Sequence, residues 1–208
     1  LRIPQRHVLV ASTGVIGRLL PMEKVRAALP KLVKALSPQG GHGAAEAIMT
    51  TDTVPKEAAV RVDVAGRPVT IGGIAKGSGM IQPHLATMFC FLTTDAVVSR
   101  EALSLVLRRA VDRSLNRITV DGDQSTSDTT VILANGLAEN SPLEKGSRGL
   151  RAFAAGVQAI TERFAKMLVK DGEGAPKLVE ITVGGARNRR EALAAARVSR
   201  WLMAVANP

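Results

Sequence analysis

A glycine-rich stretch over residues 72–79, GGIAKGSG, is the first place where the sequence could support chemistry. Its lysine, Lys76, suggests a loop that binds phosphate. The Walker pattern requires Gly before the lysine and Ser or Thr after it, whereas Lys76 lies between Ala75 and Gly77. A dinucleotide-binding pattern would need a glycine at position 82, which is Gln82. Neither nucleotide-binding pattern is satisfied.

Cys90, the single cysteine, is a candidate nucleophile with His84 or His42 as its base. It lies between Phe89 and Phe91 in an apolar stretch, where cysteine usually behaves as a small buried hydrophobic residue. Core packing is therefore the favoured interpretation. A single cysteine also excludes a disulfide framework and a cysteine-based zinc cluster, which favours a reducing, cytoplasmic setting.

Two further patterns are weaker. Asp121, Asp123 and Asp128 form an acidic run, but their spacing misses the calcium-loop pattern, so we expect a hydrogen-bonded turn and no metal. Thr87 follows the glycine-rich loop and Pro83 at the start of an apolar stretch. A threonine in that position is more often structural. No local rule separates a nucleophilic Thr87 from an ordinary strand residue.

The elements that must position these residues follow from hydrophobic periodicity. Alternating or short apolar runs predict strands at residues 7–12, 58–65, 69–74, 87–92, 118–120 and 178–183. Apolar residues spaced three to four positions apart predict helices at residues 22–36, 147–170 and 191–205, and a further helix that begins after a Ser99 cap. The first of these helices is expected to kink or break at Pro30. Strands joined by hairpins and separated by helices indicate an α/β sandwich with antiparallel pairing.

Composition limits the classes of function. The 208 residues carry 28 Lys and Arg against 18 Asp and Glu, a net charge of +10. Aromatic residues make up only 2%, which argues against a nucleic-acid surface based on stacking. The longest uncharged run, residues 77–94, contains Ser, Gln, Pro, His and Thr and is no membrane span. We therefore expect neither nucleic acid nor membrane as a partner.

Several longer stretches, in the right order, resemble the ornithine acetyltransferase family, the bifunctional glutamate N-acetyltransferases of arginine biosynthesis. The match spans nearly the whole chain, and its segments are residues 8–17 (VLVASTGVIG), 45–53 (AEAIMTTDT), 73–81 (GIAKGSGMI), 85–88 (LATM), 121–123 (DGD) and 171–175 (DGEGA). Family members are roughly twice this length. The resemblance therefore implies the central portion of such a protein, without its last substrate-binding residues.

The resemblance implies self-cleavage between Ala86 and Thr87. The chain would then consist of residues 1–86, carrying oxyanion and substrate loops, and residues 87–208, beginning at the nucleophile. The Thr87 hydroxyl would attack the preceding carbonyl, and water would open the resulting ester. Cleavage frees an α-amine with a pKa of about 7.7–8.0, which is a workable base near neutral pH.

The implied reaction is ping-pong. Thr87 takes acetyl from N2-acetylornithine and passes it to glutamate. Thr13 and Gly14 are expected to stabilise the oxyanion through a hydroxyl and a backbone N–H. Thr50, Lys76 and Glu173 are expected to bind substrate, with Lys76 suited to a carboxylate. No cofactor is required, although some family members also accept acetyl-CoA as donor.

The implied fold is a layered α/β sandwich with antiparallel or mixed central sheets and outer helices, of the N-terminal-nucleophile type. The two cleavage products would pair, and the pairs would dimerise into a heterotetramer in the cytoplasm. Two other interpretations stay open. One is a related self-cleaving aminopeptidase or amidohydrolase that uses water as acceptor. The other is a catalytically inert, truncated chain whose basic surface binds anions.

Overall fold

The computed structural model describes residues 3–82 and 88–205. The chain divides into two compact units, Leu1–Ala175 and Pro176–Pro208. Within the described residues, no helix combines the length and the apolar character needed to cross a membrane.

The predicted hairpin starts the sheet. β1 (Lys56–Val64) alternates inward and outward side chains, as its spaced valines require. Ala65 and Gly66 both have positive φ angles, 55° and 88°, as expected for a tight hairpin turn whose twist matches the strands. β2 (Arg67–Lys76) returns antiparallel to β1, so the predicted hairpin is confirmed.

Two further strands complete a sheet in the order β1-β2-β3-β4. β3 (Phe89–Thr94) pairs antiparallel with β2, and β4 (Thr129–Ala134) pairs parallel with β3. The connection between these parallel strands contains α3 (Arg100–Arg113), whose first turn is capped by the Ser99 hydroxyl accepting the Ala102 N–H at 3.3 Å. The α/β class and the mixed sheet are confirmed, whereas β4 is not among the predicted strands.

α4 (Leu150–Lys170) supplies the largest part of the core. It packs on β1, β2 and α3. The spacing predicts an apolar stripe on this helix, of which four residues are fully buried and two, Leu150 and Met167, are partly buried; the four are Phe153, Val157, Ile160 and Phe164. Leu168, outside the predicted stripe, is fully buried as well. Small residues let the layers approach, since a Cβ added at Gly156 would lie 2.8 Å from Ile71.

The described residues form three other α-helices, two before β1 and one after α4 in the sequence. α1 (Met22–Ala35) confirms the helix predicted at residues 22–36, and it continues through Pro30 without the break considered there. α2 (Gly41–Ala47) is short and was not expected from periodicity. In the second unit, α5 (Arg189–Val205) confirms the predicted final helix.

Three predicted strands are wrong. Residues 7–12 follow a single 3-10 turn at Gln5–His7, and their apolar side chains are exposed, with Val10 at 86%. At 118–120, Thr119 and Val120 instead donate separately to the Ile81 carbonyl. Residues 178–183 belong to the unit in which α5 is the only regular element described. A strand needs a neighbour for its backbone groups, and none of these segments pairs with one among the described residues.

Gly73 gives a sharp test of the core packing. A Cβ at this position would lie 2.6 Å from both the Phe91 carbonyl oxygen and Leu92 Cδ2, so the backbone or the core must shift. We expect Gly73→Ala to lower the free energy of unfolding by about 1–3 kcal/mol, measured by urea denaturation. Gly72→Ala is the matched control, because its nearest atoms lie at 3.9 Å. Equal stabilities of the two variants would contradict this packing.

Candidate active site

Lys76, the last residue of β2, contacts Thr50, and both residues are expected to bind substrate. Its side chain is 1% exposed, and its Nζ donates to Thr50 Oγ1 at 3.0 Å. The two residues are 26 positions apart. They meet because the loop before β1 lies beside the end of β2, which is paired with β1. A buried lysine thus donates to the hydroxyl of an exposed threonine.

The groups around Lys76 have opposing effects on the pKa of its ammonium group, and the net effect is a lowered pKa. Burial lowers the pKa of Lys76, because a cation loses hydration there, and the nearby Lys56 lowers it further. Asp52, Asp128 and Glu173 act in the opposite direction. A weakly hydrated ammonium group of this kind is well suited to bind a carboxylate.

Glu173, the third predicted substrate residue, reaches the same loop from the end of α4. Its backbone N–H donates to the Ser78 carbonyl at 2.7 Å. Its carboxyl group lies directly over Gly79, where a Cβ would be 2.7 Å from the carboxyl carbon. A side chain at position 79 would therefore displace this carboxylate from its place on the loop. The Ser78 hydroxyl in turn contacts Thr51 Oγ1 at 2.7 Å.

A buried ion network, which the sequence analysis missed, connects the same three segments. Lys56 is 0% exposed, and its Nζ lies 2.6 Å from Asp52 Oδ1 and 2.5 Å from Asp171 Oδ2. Asp52 also accepts the N–H of Gly77 at 2.6 Å and that of Thr50 at 3.2 Å. One carboxylate therefore holds both backbone segments that carry Thr50 and Lys76. The available sequence signal was the position of Lys56 in the inward phase of β1.

Both carboxylates of this network are held in their charged form. Burial alone would raise the pKa of Asp52, but the N–H of Gly77, Lys56 and the N–H of Thr50 together hold it below its usual range. Burial likewise opposes a lowered pKa of Asp171, and Lys56 and Thr53 more than compensate. Thr53 donates to Asp171 through its backbone N–H at 3.0 Å and also through its hydroxyl. Both carboxylates are thus ionised and hydrogen-bonded at neutral pH.

The acidic run is hydrogen-bonded, through the expected local turn at Asp121 and Asp123 and also to segments 40 residues away along the chain. Asp121 accepts the backbone N–H groups of Met80, Ile81 and Asp123, the last two at 3.0 Å. Asp128 accepts the Met88 N–H at 2.9 Å. Across residues 3–82 and 88–205, no group of three or more His, Cys, Asp or Glu side chains is arranged to hold a metal ion.

Cys90 lies in the hydrophobic core, as the sequence predicts. Cys90 is fully buried, and burial raises the pKa of its thiol to about 12, which leaves no thiolate to act as a nucleophile. His42 is on the surface, where its Nδ1 lies 2.6 Å from Glu57 Oε1. The other candidate base, His84, lies outside the described residues.

The remaining predicted site residues are not joined to this cluster. Thr13 is half-buried and Gly14 is exposed, and neither makes a hydrogen bond to Lys76, Thr50 or Glu173 within the part of the chain that the structure describes. Their oxyanion role therefore stays a prediction. Ala86 and Thr87, the predicted cleavage site and nucleophile, lie outside the described residues.

A family model and several curated proteins match this chain. A model of the ArgJ family matches residues 1–200. The "Arginine biosynthesis bifunctional protein ArgJ" of Symbiobacterium thermophilum is 56% identical over 188 residues, which is 90% of this chain and 47% of that protein. The protein of the same name from Geobacter sulfurreducens is 51% identical over 203 residues, 98% of this chain and 50% of that protein. The chain thus spans about half the length of the curated relatives it matches.

A solved structure is also similar. The crystal structure of the arginine biosynthesis bifunctional protein ArgJ from Bacillus halodurans is 42% identical in sequence. The superposition covers 50% of this chain and 48% of that chain, with a TM-score of 0.47.

Proposed function

This chain belongs to the ArgJ family, and from that premise we propose that it acts as a glutamate N-acetyltransferase. The reaction moves acetyl from N2-acetylornithine to glutamate, in the pathway for which its relatives are named. The fold would be of the N-terminal-nucleophile type, and cleavage between Ala86 and Thr87 would generate the active form. The two fragments would stay paired and dimerise, in the cytoplasm.

The observation that best supports this proposal is the meeting of Thr50, Lys76 and Glu173 at one loop. Lys76 and Thr50 are 3.0 Å apart, and Glu173 packs on Gly79, three residues beyond Lys76. The cluster therefore offers a cation, a hydroxyl and an anion within one small region. Amino acids carry the complementary groups, a carboxylate and an ammonium. Both N2-acetylornithine and glutamate fit this description.

The proposed chemistry follows from the nucleophile. The α-amine of Thr87 takes the proton of its own hydroxyl as the oxygen attacks the acetyl carbonyl. The Thr13 hydroxyl and the Gly14 N–H stabilise the oxyanion. When the C–N bond breaks, the proton passes to the departing amine of ornithine and leaves an acetyl ester on Thr87. The neutral α-amine of glutamate then attacks this ester, and the Thr87 oxygen recovers a proton.

The ester preserves the energy of the acyl bond, so neither ATP nor a resident cofactor is needed. Acetyl-CoA could acylate the same hydroxyl as a second donor. If water instead of glutamate opened the ester, the protein would be a hydrolase. Measuring acetate and N-acetylglutamate separately, with and without glutamate, distinguishes these two activities.

The substrate cluster is tested by Lys76→Met. This substitution retains the shape of the buried stem and removes the ammonium group. Because an amino-acid carboxylate would lose its charged partner, we expect kcat/KM for acetyl transfer to fall by about 10²-fold or more. Lys170→Met, at the end of α4, is the control for loss of a lysine charge and should transfer acetyl normally. Normal transfer by Lys76→Met would overturn the proposed substrate site.

A further inference from the structure

The carboxylate of Asp52 binds two segments that are distant in the sequence. Its Oδ1 accepts the Gly77 N–H at 2.6 Å, and its Oδ2 accepts the Thr50 N–H at 3.2 Å. Thr50 is itself expected to bind substrate, and Gly77 directly follows Lys76, which is expected to do the same. A single carboxylate therefore sets the distance between the two backbone segments from which these side chains project.

This connection is enclosed by the protein. The side chains of Asp52 and Lys56 are both 0% exposed, and Lys56 Nζ donates to Asp52 Oδ1 at 2.6 Å. Because solvent does not reach the Asp52 carboxylate, water cannot take the place of either backbone N–H donor. Lys56 has a second anionic partner, Asp171, at 2.5 Å. The Asp52 carboxylate is thus anchored from β1 and holds the two segments from a fixed position.

The hydrogen bond between Lys76 and Thr50 explains why their spacing matters. Lys76 Nζ donates to Thr50 Oγ1 at 3.0 Å, which leaves further N–H donors on the ammonium group and the hydroxyl hydrogen of Thr50. Both sets of donors can meet one carboxylate only while the two groups stay this close, since hydrogen bonds weaken steeply when their geometry is poor. Binding of a substrate carboxylate therefore depends on the backbone positions that Asp52 fixes.

Asp52 also acts on the charge of Lys76. Burial is the strongest influence on the pKa of Lys76 and lowers it, and Asp52 is the strongest of the groups that oppose this effect. The other charged or aromatic groups that act on Lys76 lie on four different segments: Lys56 on β1, Phe89 on β3, Asp128 before β4 and Glu173 after α4. Removing the negative charge of Asp52 would therefore lower the pKa of Lys76 further and weaken its attraction for an anion.

We propose that Asp52 is a positioning residue of the substrate site, whose carboxylate holds Thr50 and Lys76 at the spacing that binds a carboxylate of the amino-acid substrates. This inference rests on the proposed function, in which Thr50 and Lys76 bind N2-acetylornithine and glutamate. The side chain of Asp52 is enclosed, so it acts through these two residues and not on the substrate itself.

Steady-state kinetics of acetyl transfer by Asp52→Asn test this role. Asparagine offers one accepting oxygen and one NH₂ group, so it can accept the N–H of Gly77 or that of Thr50 but not both. We expect the KM values for N2-acetylornithine and for glutamate to rise by about tenfold or more, because each substrate loses a well-placed charged hydrogen bond. The kcat at saturating substrate should change much less, since this interaction is made in the ground state as well as in the transition state.

Asp95→Asn is the matched control. The Asp95 carboxylate accepts the Thr70 N–H at 2.8 Å, in the same strand as Lys76. The variant removes the same charge and weakens the same kind of backbone hydrogen bond, so it should lose some stability in urea and keep both KM values. A rise in KM of equal size in Asp95→Asn would show that loosening of β2 alone is responsible, and would overturn the role of Asp52.

A double variant tests whether Asp52 acts through Lys76. In the Lys76→Met background, the ammonium group that Asp52 is proposed to position is already absent. We therefore expect Asp52→Asn to change kcat/KM by a much smaller factor there than in the unmodified protein, as for any two coupled residues. Equal factors in both backgrounds would show that Asp52 acts independently of Lys76 and would overturn the proposal.

The outcomes separate this inference from the proposed function. An unmodified protein that transfers no acetyl would overturn both. An active protein whose KM values are unchanged in Asp52→Asn would overturn the role of Asp52 alone, as would a folded Asp52→Asn that is never cleaved, since Asp52 would then serve cleavage. Should Asp52→Asn fail to fold by circular dichroism, Asp52→Asn combined with Lys56→Met removes the buried anion and cation together and repeats the measurement, with the same rise in KM expected.

Discussion

Replacing Thr87 with Ala is expected to leave the polypeptide in one piece and to lower acetyl transfer by at least about 10⁴-fold. The hydroxyl of Thr87 is proposed to act twice, first on the preceding carbonyl during cleavage and then on the acetyl donor. Alanine lacks the oxygen for either reaction. Without cleavage there is also no α-amine at this position to act as the base.

An intact-mass spectrum of the purified protein measures the first effect. The unmodified chain should give fragments of residues 1–86 and 87–208, and Thr87→Ala a single mass. Thr87→Ser is the matched variant, because it retains a hydroxyl and should still be cleaved. Thr93→Ala, at an exposed position on β3, controls for the loss of any threonine hydroxyl. A single mass for the unmodified protein would contradict self-cleavage, and cleavage in Thr87→Ala would exclude Thr87 as its nucleophile.

Lys56→Met is expected to cause the largest loss of stability, about 3–5 kcal/mol in the free energy of unfolding. Lys56 is fully buried between Asp52 and Asp171, with distances of 2.6 and 2.5 Å. Methionine would fill much of the same volume but would leave two buried carboxylates without their cation. Breaking a buried ion pair on one side is costly because the remaining charge has lost its water as well as its partner.

Urea denaturation at pH 7 measures this loss. Arg61→Met is the matched control, because it removes a cation from the exposed side of the same strand and should change stability little. The pKa values of Asp52 and Asp171 are lowered in the folded protein, so the stability due to their charges is lost as the pH falls through those values. The difference between Lys56→Met and the unmodified protein should therefore shrink below about pH 4. A loss under 1 kcal/mol at pH 7 would show that the network contributes little.

Local patterns were sufficient where an element is stabilised by its own neighbours. The alternating valines of β1 and the turn at Ala65 and Gly66 predicted the hairpin, because both strands and their turn are contiguous. The stripe of α4 predicted a buried helix for the same reason, since helical hydrogen bonds are local and the apolar side chains share one face.

Local patterns failed where a distant partner decides the structure. An alternating run such as residues 178–183 has the composition of a strand, but a strand forms only if another one is available to pair with it. β4 shows the opposite case, since its backbone is ordered by parallel pairing with β3, 40 positions away in register. Periodicity reports which face of a segment is apolar and carries no information about which segment lies beside it.

The same division applies to the candidate site. The long motifs of the sequence were sufficient to indicate the family, and the resemblance implies that Thr50, Lys76 and Glu173 bind substrate. The folded structure was needed to show that these residues meet at one loop, and that Lys56 joins Asp52 to Asp171, 119 positions apart. It also placed Asp128 beside Met88. The physical reason is that charges and hydrogen bonds act across space, whereas a sequence motif records only which residues are consecutive.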